Sequence, residues 1–134
     1  MQQGGCLCGA VRYRTEGEPS GSGICHCSTC RRAASAPTLP FVVFAADRFA
    51  FTRGEPVEFL SSPRVVRSFC GRCGSPLTYR SDDKPDSIDV MTCTLDDPEA
   101  FPPGFHVWVS HKLAWEHATD ELPAYETTRA AGLA

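Results

Sequence analysis

Three cysteines fall within six positions of the stretch CHCSTCRR, residues 25–32, with His26 between the first two and Arg31 and Arg32 behind the third. Thiolates at this C-x-C-x-x-C spacing can face one ion from a single turn. Three protein ligands plus an exchangeable fourth position is the donor pattern of catalytic rather than structural zinc. The fourth corner has three candidate occupants: His26, Cys93 or a substrate. His26 lies between two ligands, so its side chain is expected to point away from the ion they share, toward a hydrogen-bonding place at the pocket rim. Cys93 sits in the strand-like run VMTCTL, where a buried free cysteine is an ordinary core residue. The open corner is therefore the reading adopted, with Cys25, Cys27, Cys30 and His26 as the catalytic candidates. Arg31 and Arg32 would offset the charge of three thiolates on a divalent ion, or hold an anionic substrate by bidentate hydrogen bonds. Two solvated arginines on a short helix are the plainer alternative.

A second set of thiols has a different design. Cys6-Leu7-Cys8-Gly9 and Cys70-Gly71-Arg72-Cys73-Gly74 each carry two cysteines separated by one or two residues, with a glycine after the second. A metal knuckle turns the backbone sharply, and glycine takes the positive φ that such a turn can require. Two half-sites of two thiolates complete an all-cysteine tetrahedron, the closed coordination of structural zinc. The gap between the pairs exceeds the ~15–20 residues of a simple zinc ribbon. A β-module must be inserted there, and the site is expected to tie the first strand to the fourth or fifth. Its metal would supply folding energy of order ~10 kcal/mol.

Disulfides are the competing use of eight cysteines. The tight clustering argues against them, because neighbours along the chain chelate better than they staple. The N-terminus MQQGGCLCGAV has neither a positive n-region nor an apolar h-region, which predicts no signal peptide and a reducing, cytoplasmic setting. No run approaches the ~18 apolar residues of a membrane span. A formal charge of -3 without a basic run disfavours nucleic-acid and anionic-membrane partners.

The elements that must position these groups are short. Eleven prolines and eleven glycines in 134 residues favour turns and strands over long helices. AVRYRT (10–15) alternates Val11 and Tyr13 inward against Arg12 and Arg14. Further strands are expected within 37–46, 64–69, 87–95 and 105–115. A hairpin is expected over 49–60, turning at Arg53-Gly54-Glu55-Pro56. Asp97-Pro98-Glu99 reads as the capped start of a short helix, and a second helical turn begins near Ser28. The whole is expected to be one domain over 1–134, with a core of about 4–126 and a poorly ordered tail after about 126.

The order GGCLCGAV, CHCSTCR, FCGRCGSPL, followed by CTLDDPEAF, PPGFHVW and LAW…LP, resembles the glutathione-dependent formaldehyde-activating enzyme family, also called the centromere protein V family. The likeness runs over roughly residues 4 to 126, with seven cysteines in family order and spacing. It implies a mainly β, zinc-pinned fold of the β-tent type, with short antiparallel sheets and one or two short helical turns. It implies two zinc ions per chain: a structural one on Cys6, Cys8, Cys70 and Cys73, and a second on Cys25, Cys27 and Cys30. The second takes the thiol of glutathione as its fourth ligand. Cys93 stands outside the family's metal pattern. The chain is shorter than the family's namesake, so segments that would contact glutathione are not placed, and most of this large family has no assigned substrate.

The function so implied is a zinc-dependent carbon–sulfur lyase that adds glutathione to formaldehyde or a related small carbonyl compound. His26, His106 and His111 are candidates for its proton transfers, and Phe41, Phe44 and Trp108 for its pocket walls. The alternatives are a non-enzymatic zinc module, or a lyase for another low-molecular-weight thiol. Methionine sulfoxide reduction would need a low-pKa free cysteine, and Cys93 has only apolar and acidic neighbours. The partner is a small thiol rather than nucleic acid or membrane, and either a monomer or a homodimer is compatible with the sequence.

Overall fold

Short runs of β-branched and aromatic residues, cut by glycine and proline turns, form ten strands and one α-helix over residues 1–117 and 120–132, the residues described by the computed structural model. In chain order these are β1 (Gln2–Gly5), β2 (Arg12–Thr15), β3 (Gly21–Cys25), α1 (Ser28–Ala34), β4 (Leu39–Ala45), β5 (Phe49–Arg53), β6 (Val57–Ser62), β7 (Val65–Phe69), β8 (Pro76–Ser81), β9 (Ser87–Met91) and β10 (Phe105–Val107). The chain is mainly β, as expected. No helix among the described residues is long and apolar enough to cross a membrane. Backbone contacts divide the chain into two compact units, Met1–Gly21 with Val42–Phe101, and Ser22–Phe41 with the segment from Pro102 onward.

The first unit contains an antiparallel sheet of order β1-β2-β5 and an antiparallel meander of β6, β7, β8 and β9. Val11 and Tyr13 face inward as the alternation requires. They join Val42, Phe44, Leu77, Ile88, Val90, Leu95 and Phe101 in one core, where Phe44 meets Phe101 edge to face at 5.8 Å. Phe44 is therefore a core residue and not a pocket wall. The Tyr13 hydroxyl is 2.8 Å from Thr94 Oγ1, and Arg12 holds the Asp96 carboxylate through two N–H groups.

Three sequence expectations fail in this unit. The hairpin over 49–60 does not form, because β5 pairs with β2 while β6 pairs with β7. Phe49 and Phe51 pack against each other, and Phe49 stacks on Tyr13 at 5.3 Å, so an aromatic cluster selects β2 as the partner of β5. The strand expected over 87–95 stops at Met91, and Thr92–Thr94 form a 3-10 turn that leaves Cys93 exposed. Cys93 is thus not the buried core cysteine its neighbours suggested. Pro98–Ala100 is a single 3-10 turn without a side-chain cap from Asp97, rather than a capped helix.

Asp89 in β9 carries a testable consequence of burial. Its carboxyl is pushed up to about 6 by desolvation, against a partial opposing pull from Lys84 and Arg67. A carboxyl whose folded-state pKa is raised loses stability as pH rises from the unfolded value of ~4 through about 6, and the loss is then complete. Asp89→Asn is expected to stabilise the protein by on the order of 2 kcal/mol at pH 7.5, with the difference shrinking toward zero below pH ~4.5. Urea denaturation of both proteins across this range checks it.

In the second unit β3 and β10 run parallel, with Gly23 opposite Phe105, Ile24 opposite His106 and Cys25 opposite Val107. The close approach needs Gly23, where a Cβ would fall 2.5 Å from the Phe105 ring. The strand expected within 105–115 is Phe105–Val107, and it ends there because Trp108 takes a left-handed conformation at φ 57 and Val109–His111 turn as a 3-10 segment. Pro123, Tyr125, Thr127 and Arg129 tie the following segment to this strand and to Trp108 after it. His106 N–H donates to Pro123 O, Tyr125 N–H to His106 O and Trp108 N–H to Thr127 O, and the Arg129 guanidinium lies 4.4 Å over the Phe105 ring.

Candidate metal centres

The first cluster lies wholly in the first unit. Cys6 and Cys8 occupy the turn after β1, and Cys70 and Cys73 the turn between β7 and β8. The site thus joins the first strand to the seventh and eighth, not to the fourth or fifth. The Gly-rich β1 and β3 lack the alternation by which strands are counted in a sequence. Gly9 (φ 77) and Gly74 (φ 81) follow the second thiol of each pair as expected, and a Cβ at either would meet nothing. Glycine is needed there for its backbone angle, not for space.

The four sulfurs lie within 4.8 Å of one another, with Cys6 to Cys8 at 3.6 Å and Cys8 to Cys70 at 3.8 Å. These separations exclude disulfides, whose sulfurs are ~2.0 Å apart. They fit the edge of a tetrahedron with metal–sulfur bonds of ~2.3 Å, which is about 3.8 Å. Backbone N–H groups already point at the sulfurs: Val11 donates to Cys6 at 3.2 Å, and Arg72 and Cys73 each donate to Cys70 at 3.4 Å. Ser75, not singled out from the sequence, places its hydroxyl 3.3 Å from Cys73 Sγ. That bond, with the N–H groups of Ser75 and Cys8, pulls the Cys73 thiol down to about 5. The donor set therefore suits a divalent, thiophilic ion such as zinc.

The second cluster lies wholly in the second unit. Cys25 ends β3, Cys27 caps α1 and Cys30 faces inward from its first turn. The helix begins at Ser28 as expected, and its cap is Cys27 Sγ, which accepts the Cys30 N–H at 3.3 Å. The three sulfurs lie within 4.8 Å of one another, and no His, Cys, Asp or Glu of the described residues joins them. His26 and Cys93 are therefore not in the ligand cluster. Hydrogen bonds from Cys25 and Cys30, with help from Thr29 and the Cys30 N–H, hold the Cys27 thiol far below its ordinary range. Cys27 and Cys30, with burial, push the Cys25 thiol up. An ion seated on the three sulfurs would replace the protons of all of them.

Around this cluster the histidines are arranged by the parallel pairing of β3 and β10. His26 is 1% exposed, and its Nε2 lies 2.9 Å from His106 Nδ1. His106 Nε2 lies 2.9 Å from Asp120 Oδ2. Burial, and then the nearby His106, lowers the pKa of His26, which keeps its ring neutral at pH 7. His26 Nδ1 is buried and has no hydrogen-bond partner among the described residues. His111 is exposed beside Trp108 and stands apart from this chain of contacts.

Arg31 Nη1 donates to the carbonyls of His26 and His111, which braces the backbone between Cys25 and Cys27. Arg32 is exposed and borders a shallow, open depression of about 350 Å³ with Ser28, Arg31, Ser35 and Ala36. Phe41 packs edge-on against Phe105 rather than lining that depression. Asp120 is not among the residues that the sequence singles out. The segment DELP signals a turn before proline, but nothing in it names a histidine as partner.

The sequence model of the glutathione-dependent formaldehyde-activating enzyme family matches residues 1–111. The chain belongs to this family. A Halomonas elongata protein whose name provisionally assigns it the same activity is 30% identical over 126 residues, covering 86% of this chain and 79% of that one. An uncharacterized lyase of Schizosaccharomyces pombe is 32% identical over 78 residues, 58% of this chain and 56% of that protein. The crystal structure of a Rhodobacter sphaeroides protein superposes with a TM-score of 0.61 over 70% of this chain and 87% of its own, at 22% identity, a likeness of fold. The stretch shared with the formaldehyde-activating family contains all seven clustered cysteines, His26 and His106, while Asp120 lies beyond it.

Proposed function

We propose that the protein is a zinc-dependent carbon–sulfur lyase of the glutathione-dependent formaldehyde-activating type. In this reading Cys6, Cys8, Cys70 and Cys73 hold a structural zinc. Cys25, Cys27 and Cys30 hold a second one whose fourth position receives the thiol of glutathione. The observation that supports it most is the convergence of three sulfurs without a fourth ligand among the described residues. Zinc there would supply a Lewis-acidic position that lowers the pKa of an incoming thiol toward neutrality.

The chain's own residues account for the rest. The S–H bond of glutathione breaks and its sulfur pair forms a bond to the carbon of formaldehyde. The π pair of the carbonyl moves to oxygen, which takes up a proton to give S-hydroxymethylglutathione; the reverse is the lyase direction. His26, neutral and buried between two ligands, is assigned the proton exchange. Arg31 keeps the ligand-bearing turn in place through the His26 carbonyl. Exposed Arg32 is positioned to pair with a carboxylate of glutathione. The ligand thiols require a reducing compartment, which assigns the protein to the cytoplasm.

Cobalt substitution tests the reading. The visible spectrum of the dicobalt protein should change on addition of glutathione, with one equivalent bound, and formaldehyde should then be consumed as the hydroxymethyl adduct accumulates by NMR. A spectrum unmoved by glutathione would mean a sealed, purely structural second site.

A further inference from the structure

We propose that Asp120, acting through His106, is a positioning residue that fixes His26 in the tautomer with its proton on Nε2 and a bare lone pair on Nδ1. The inference rests on the reading of His26 as the proton-exchanging group, and adds the residue that decides which of its nitrogens does the exchange.

With one hydrogen on each ring, donors and acceptors along the chain of contacts leave one solution. An ionised carboxylate can only accept. Asp120 is held ionised by the Leu122 N–H, which donates to its Oδ1 at 3.1 Å, and by the His106 ring. His106 Nε2, at 3.1 and 2.9 Å from the two carboxylate oxygens, must therefore carry a hydrogen. With that as its one ring hydrogen, His106 has its lone pair on Nδ1, and His26 Nε2, 2.9 Å away, is the donor to it. That leaves the other nitrogen of His26 without a hydrogen. It is the same Nδ1 that is buried and unpartnered. A buried acceptor without a donor costs free energy, and a ligand O–H, N–H or S–H reaching it would recover that cost.

The scaffold holds each link. The Leu122 N–H fixes Asp120 through its own turn, the backbone bonds of His106 to Pro123 and Tyr125 fix the second ring, and the His26 N–H donates to Val107 O at 3.1 Å. Orientation of one imidazole by another group is a common device around metal sites, where loss of such a partner costs roughly 10–100-fold in activity or metal affinity.

The test reads tautomers directly. In ¹⁵N-labelled, zinc-loaded protein without thiol at pH 7.5, long-range ¹H–¹⁵N spectra should show both His26 and His106 protonated on Nε2 alone. Asp120→Asn keeps an oxygen for the Leu122 N–H and turns an N–H toward His106 Nε2. Both rings should then invert, placing the proton of His26 on Nδ1, while the amide spectrum and zinc content stay as in the parent. Asp120→Glu, which keeps a carboxylate, should retain the parent tautomers.

A parent spectrum with a proton on His26 Nδ1, or rings unmoved in Asp120→Asn, would overturn the proposal. The parent spectrum decides the matter even where the variant fails to fold. The condensation of glutathione with formaldehyde is assayed on the same samples and should fall at least ~10-fold in Asp120→Asn. Inverted rings with unchanged condensation would uphold the tautomer assignment and remove His26 from the chemistry.

Discussion

Cys70→Ser is expected to leave a chain that does not fold cooperatively and that no longer holds the structural zinc. Cys70 is 1% exposed, belongs to the apolar core and accepts two backbone N–H bonds at its sulfur. Its neighbour Cys8 is 62 residues away, so an ion held by both would close a long loop. A structural zinc contributes ~10–16 kcal/mol of binding free energy as folding energy, comparable to or larger than the ~5–15 kcal/mol by which domains are stable. Removing one of four thiolates also leaves an incomplete donor set for such an ion. Metal analysis, together with circular dichroism on heating in the presence of zinc, reads the result. A cooperative transition at the parent temperature would show that the four sulfurs do not pin the fold.

Cys27→Ser should do the opposite, sparing the fold while abolishing activity. Cys27 is only partly buried, and its structural duty is to cap α1 by accepting the Cys30 N–H. Serine is a strong N-cap residue and takes over that bond, so stability apart from bound metal should change by less than about 1 kcal/mol. A hydroxyl is a poor ligand for zinc in place of a thiolate, and Cys27 is one of only three sulfurs in its cluster among the described residues. The variant is expected to retain one zinc instead of two, to lose the spectral response to glutathione, and to form the hydroxymethyl adduct only at the uncatalysed rate. Retention of two metal equivalents, or collapse of the fold, would remove the open three-sulfur site from the mechanism.

Both predictions depend on features that are legible in the amino-acid sequence. A metal knuckle is a local object: thiols one to three residues apart, a tight turn and a glycine at positive φ are all contained in five residues. The spacings therefore separate seven cysteines into a group of four and a group of three, and the sulfurs converge in those same groups, with Gly9 and Gly74 at the positive φ that their turns require. The inward facing of Val11 and Tyr13 is legible too, because the two-residue period of a strand is written in its own side chains.

Partner choice is not legible in the same way. Phe49–Arg53 and Val57–Ser62 each read as strands, yet their pairing with one another is a separate question, and cross-strand packing on Tyr13 sends β5 to β2. The 3-10 turn at Thr92 exposes a cysteine that its neighbours mark as core. Asp120 acquires a role only because the segment after it pairs with β10, bringing a carboxylate to a histidine 14 residues earlier and, through it, to one 80 residues from that. What the sequence determined by itself was the grouping of the thiols and the class of fold, since both follow from spacings within a turn or a strand. Which strands meet, which thiol stays outside, and which side chain orients His26 were decided by the tertiary structure, because contacts between distant segments depend on burial and pairing energies summed over the whole unit.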